Sequence, residues 1–135
     1  MKLRIFIFDS SDCMRESIAM YIEASGHEVV AVDIPSMCPL YHDCFQECSQ
    51  LKSCADAIIL GQDFPLLNGI DFIERRVKGG CKVAMANNAI ICRPWSSEEQ
   101  RRAEALGCKF FETPLCLEDV TNWLKEVEKN VSSSC

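Results

Sequence analysis

The stretch "CADAIILGQDFPLLNG", Cys54 to Gly69, decides how the chain folds. Ala57 to Leu60 is apolar at every position, as expected of a strand in a parallel sheet covered by helices on both faces. The run stops at Gly61, and Pro65 and Asn68-Gly69 then mark a turn. In open α/β sheets the chemistry lies just beyond such strand ends. An acidic residue often stands there, whereas here Gly61 offers no side chain at all.

Working outward, Lys2 to Phe8 reads as a first strand. Ser10, Ser11 and Asp12 are cap residues for a helix with Met14, Ile18, Tyr21 and Ile22 on its apolar face, stopped by Gly26. Glu28 to Asp33 is a second strand. Pro35 and Pro39 bracket a loop, and a helix is expected over Tyr41 to Leu51. After the third strand and its turn, Ile70 to Val77 reads as a helix ended by Gly79-Gly80.

Both "KVAMA" (Lys82 to Ala86) and "AIIC" (Ala89 to Cys92) qualify as the fourth strand. Ser96 and Glu99 form a capping box opening a helix to Leu106, which Gly107 closes. Lys109 to Phe111 is a fifth strand. Val120, Trp123, Leu124, Val127 and Val131 stripe a last helix. Five strands alternating with five helices predict a doubly wound α/β fold, a parallel sheet with helices on both faces. The expected domain spans 1–130, with 131–135 a frayed tail.

Composition limits the functions. The 135 residues are enough for about one domain. Fourteen basic against twenty acidic residues give a net charge of −6, with no basic cluster to meet phosphates, so no nucleic-acid partner is expected. The run Leu3 to Phe8 is too short for a signal core or a membrane span, so no membrane partner is expected and the location expected is the cytoplasm. No Walker loop, G-x-G-x-x-G or C-x5-R signature occurs.

At its strand ends the sequence resembles the receiver domain of bacterial response regulators (CheY-like). The resemblance is carried by "IFIFDSSD", "ADAIILGQDFPLLNGIDFIER" and "ALGCKFFETPL", in the family's order and spacing. It implies the flavodoxin-like strand order 2-1-3-4-5. In receivers a Thr or Ser ends the fourth strand, about thirty residues after the phosphoacceptor and about twenty before a lysine. Cys92 lies 31 residues after Gly61 and 21 before Thr113, which favours Ala89 to Cys92 as the strand and leaves Lys82 to Asn88 as an extra loop.

The resemblance also assigns site positions. Receivers carry a phosphoryl group on the aspartate ending strand three, with Mg²⁺ held by it and an acidic pair after strand one. Here Asp9 keeps the first acid and Ser10 replaces the second. Gly61 replaces the nucleophile, Cys92 the hydroxyl donor and Thr113 the lysine, while Pro114 is retained. No acyl phosphate can form at Gly61, and neither Mg²⁺ nor catalysis is expected. Asp63 stands two residues further on, roughly 6 Å along an extended chain and too far for in-line attack at the old position. Asp9 with Asp63 reads as a loose cation pair or as two solvated turn carboxylates. Receivers commonly have a cis bond before this proline, so Thr113–Pro114 is expected to be cis.

Ten cysteines are many for a reducing compartment. Cys38, Cys44, Cys48 and Cys54 surround His42 in sequence, ligand types that suit zinc or iron. Their x5, x3, x5 spacing matches no metal motif, and Tyr41, Cys44, Phe45, Cys48 and Leu51 would share one buried helix face. Cys108 is expected in the core. The function expected is a stand-alone, phosphorylation-independent signalling protein of two-component type that binds another signalling protein, with a homodimer left open. The alternative is a cysteine-based metal or redox sensor on the same frame. Receivers commonly dock through their fourth helix, fifth strand and fifth helix; by position that face holds Trp95, Arg101 and Phe110.

Overall fold

The computed structural model describes residues 2–42, 48, 52–61, 64–92 and 96–133, with Cys92 and Ser133 described by backbone alone. Five strands, β1 (Arg4–Phe8), β2 (Glu28–Val32), β3 (Ala57–Leu60), β4 (Asn88–Cys92) and β5 (Lys109–Glu112), form one parallel sheet in the order β2-β1-β3-β4-β5. The helices are α1 (Asp12–Ala24), α2 (Pro39–His42), α3 (Gly69–Lys78), α4 (Ser97–Leu106) and α5 (Leu117–Ser133). The doubly wound arrangement expected from the alternation is the one observed.

The strands sort their side chains by parity. Leu3, Ile5, Ile7, Ala57, Ile59, Ala89, Ile91 and Phe111 face one layer and meet Ile18, Ala19 and Ile22 of α1 and Val120, Trp123, Leu124 and Val127 of α5. Phe6, Phe8, Ile58, Leu60 and Ile90 face the other, against Tyr41 of α2, Ile70, Phe72 and Ile73 of α3 and Ala103 of α4. A period of two inside a wholly apolar strand therefore feeds two cores.

Local signals fix the helix ends. Ser11 caps α1 by accepting from the Met14 N–H, and Asn68 caps α3 by accepting from the Asp71 N–H at 2.9 Å. Ser96 Oγ accepts from the Glu99 N–H at 3.2 Å and donates to Glu99 Oε1 at 3.0 Å, opening α4. Gly107 closes that helix with φ of 80°, a left-handed conformation that favours glycine. The segment before β4 is a loop with one 3₁₀ turn, Met85–Asn87.

Two expectations need correction. Of the helix expected over Tyr41 to Leu51, the described part is α2, Pro39–His42, opened two residues early by a proline at its first position, and residues 43–47 and 49–51 lie outside the described residues. Cys48 is not helical, because its N–H donates to the Gly79 carbonyl at 2.7 Å rather than to a carbonyl four residues back. At the other end α5 runs to Ser133, past the expected start of the tail at 131. Val131 continues the apolar stripe of α5 and packs on the α1/α5 core, which carries the helix on.

Candidate functional site

Parallel register brings the strand ends together. Phe8 pairs with Leu60, so Asp9 and Gly61 leave the sheet side by side, and the Gly61 N–H donates to the Phe8 carbonyl at 2.7 Å. Beyond β3, Cys92 at the end of β4 pairs with Glu112 at the end of the adjacent β5, with Thr113 next in chain.

Asp9 is only 8% exposed. Its Oδ1 accepts from the Ser11 N–H at 2.8 Å, its N–H donates to the Val32 carbonyl at 3.2 Å, and its carbonyl accepts from Arg15 Nη1 at 2.8 Å. Arg15 is steadied in turn by Asp12 Oδ1 at 2.6 Å. The Asp9 carboxyl thereby leans across β3. A Cβ built on Gly61 would meet Asp9 Cγ at 3.0 Å, Oδ2 at 3.1 Å and Oδ1 at 3.2 Å, all closer than an ordinary carbon contact of about 3.5–4.0 Å. The absent side chain and the placed carboxylate are thus one feature: Asp9 covers the surface that Gly61 leaves bare.

Ser10, Thr113 and Pro114 are exposed around this point, and the Thr113–Pro114 bond is cis, as the resemblance implied. Asp63 lies outside the described residues, as do Cys44 and Trp95. Of the strand-end carboxylates, Asp9 accepts from the Ser11 amide through Oδ1, and Glu112 lies three strands away, roughly 14 Å at about 4.8 Å per strand, so one Mg²⁺ with bonds of about 2.1 Å cannot join these two. Among the described residues no three His, Cys, Asp or Glu side chains are placed to hold a metal.

The cysteine segment divides differently from its sequence spacing. His42 is exposed, with its Nε2 2.9 Å from the Ser36 carbonyl, and does not join the thiols. Cys38, Cys48 and Cys54 do converge, on a cavity beneath α2 whose fourth sulfur comes from Cys81. Burial pushes the Cys38 and Cys54 thiols up from their ordinary value, which keeps them protonated and neutral. Sequence reasoning gave Cys81 no role. The turn at Gly79-Gly80, which folds the chain back after α3 with the Cys81 N–H on the Arg76 carbonyl at 2.9 Å, was the available signal. Cys108 is buried, as expected.

On the opposite edge, Arg101 stands exposed on α4. Phe110 is half-buried on β5 and lines a groove of about 570 Å³ with Lys109, Glu112, Pro114 and Leu115 and the α5 residues Asp119, Asn122, Trp123 and Glu126.

The architecture has many counterparts among solved structures. A response regulator receiver domain protein from Clostridium thermocellum superposes with a TM-score of 0.76 over 98% of each chain, at 16% identity. This is the receiver fold. The receiver domain of a modulated diguanylate cyclase from Desulfovibrio desulfuricans G20 covers 100% of both chains with a TM-score of 0.74 and 12% identity. The chemotaxis protein CheY4 of Vibrio cholerae matches 94% of this chain and 99% of its own, with a TM-score of 0.69 and 19% identity. No protein-family model matches the sequence, and no curated protein does. Among the described residues no helix is long and apolar enough to cross a membrane.

Proposed function

We propose that the chain is a receiver-like signalling domain of the two-component kind that works without accepting a phosphoryl group and acts by docking another signalling protein. The receiver fold supports the signalling class. One observation carries the finer reading: the buried Asp9 carboxyl packs on Gly61, where a phosphoacceptor would have to stand. A phosphoryl group there would find no nucleophile and would face an anion already bonded to the Ser11 amide.

The docking face in this reading is the α4–β5–α5 edge, with exposed Arg101 and half-buried Phe110 as its contacts; Trp95, outside the described residues, belongs to the same face by sequence. Arginine and aromatic side chains are enriched among residues that dominate interface energies. The test has two arms. Incubation with acetyl phosphate should leave the intact mass unchanged; a stoichiometric gain of one phosphoryl group refutes phosphate independence. Pull-down from the native cytosol should recover a signalling protein that Arg101→Ala with Phe110→Ala releases, and retention of that protein by the double variant refutes the face.

A further inference from the structure

The cavity beneath α2 has about 160 Å³ of free space and walls of Phe6, Phe8, Leu40, Ile58 and Phe72, with the four cysteine thiols among the rest of its lining. A cavity of about 150 Å³ lined by apolar side chains stays dry and admits a benzene-sized molecule. Met37 and Cys54 line this one and are exposed, which puts them at its mouth.

Arg76 distinguishes this cavity from a packing defect. It lines the space and is 2% exposed. Its Nη1 donates to Asn88 Oδ1 at 2.7 Å and its Nη2 to Cys81 Sγ at 3.3 Å, and the guanidinium lies 5.3 Å from the Phe72 ring centroid. Among the described residues no carboxylate pairs with it. A buried guanidinium is costly unless an anion faces it, and an amide oxygen and a thiol sulfur are weak substitutes. The neighbouring Cys38 thiol, pushed up from its ordinary value by burial, does not supply the charge. Among the described residues no three His, Cys, Asp or Glu side chains form a metal-holding cluster here.

We propose that this cavity binds a small apolar carboxylate, a molecule of roughly benzene's bulk with one anionic head, its head on Arg76 and its body between Phe6, Phe8, Leu40 and Phe72. The carboxylate would take over from the Cys81 sulfur as acceptor, since a guanidinium bonds a carboxylate in a bidentate, charge-assisted pair. The occupant is chosen by two properties at once: a mostly apolar volume and, among the described residues, a buried guanidinium with no carboxylate partner.

The full chain, kept reduced, is titrated with benzoate, with benzyl alcohol and with zinc ion, each alone, followed by calorimetry and amide NMR shifts. Benzoate should bind one to one with shifts at the cavity walls, and benzyl alcohol about tenfold or more weaker. Arg76→Gln should bring benzoate down to the level of the alcohol. Because Arg76 also bonds Asn88, a second variant leaves it in place: Cys54→Phe fills the mouth and should weaken benzoate about tenfold or more with the fold intact by circular dichroism. Equal affinity for benzoate and the alcohol overturns the proposal, as do shifts clustered elsewhere, no benzoate binding at all, or stoichiometric zinc binding that benzoate does not displace.

Discussion

Substituting Gly61 by alanine puts the strand-end geometry under direct strain. The three atoms nearest the new Cβ all belong to the Asp9 side chain, at 3.0 to 3.2 Å. Relief requires the carboxyl to retreat by roughly half an ångström to reach normal contact. Its backbone is tied to Val32 and Arg15, so the retreat falls on the 2.8 Å bond to the Ser11 N–H that organises the start of α1. Overpacking of this kind costs about 1–3 kcal/mol. Alanine returns about 0.4–1 kcal/mol by stiffening the unfolded chain, so the expected net loss is about 1–2 kcal/mol. In an Asp9→Ala background the obstructing atoms are gone, and the same substitution should be neutral or stabilising by up to about 1 kcal/mol. Urea unfolding followed by far-UV circular dichroism, with equal m-values, measures all four corners of the cycle. If Gly61→Ala costs the same with and without the Asp9 carboxyl, the close packing of these residues is refuted.

Other outcomes follow from the same structure. Arg102 bridges α4 to α3 through Asp71 at 2.5 Å and through Glu74, and is about one-third exposed; Arg102→Ala should cost about 1 kcal/mol or less in urea, shrinking with added salt. Trp123→Phe removes the indole bond to the Ala86 carbonyl at 3.2 Å and leaves a gap in the α1/α5 core, so a loss of about 1–3 kcal/mol is expected by chemical unfolding. Burial pushes the Cys108 thiol above its ordinary value of 9.0, so the folded chain keeps a proton that the unfolded chain has already released. Stability held below that unfolded value should therefore fall as pH rises toward the folded one, and Cys108→Ala should flatten the decline in melting temperature between pH 8 and 10.5 or so.

What the sequence made legible was whatever depends on neighbours along the chain. The apolar run of β3, the caps at Ser11 and Ser96 and the stripe of α5 each act over a few residues, and each appears where it was read. The helical reading failed at Cys48, which fits a helical period in sequence, because the partner that removes it from a helix, the Gly79 carbonyl, lies 31 positions away. The site shows the same division. That Gly61 lacks a nucleophile is a fact of composition. That the Asp9 carboxyl fills the space left over depends on two parallel strands that are remote in sequence. Arg76 was invisible for a related reason: on α3 it reads as one of a basic run near the helix end, and only packing against β4 buries it.

The loop before β4 is clasped by the last helix at two points: Trp123 Nε1 donates to the Ala86 carbonyl, and Asn130 Nδ2 donates to Asn87 Oδ1 at 3.0 Å. The residue after this clasp, Asn88, is the one that holds Arg76. A protein that gripped α5 and tilted it would therefore pull on a string of polar bonds ending at the wall of the thiol-lined chamber, on the far side of the sheet. If that chain of bonds transmits strain, a tilt of the final helix should alter benzoate affinity at the chamber.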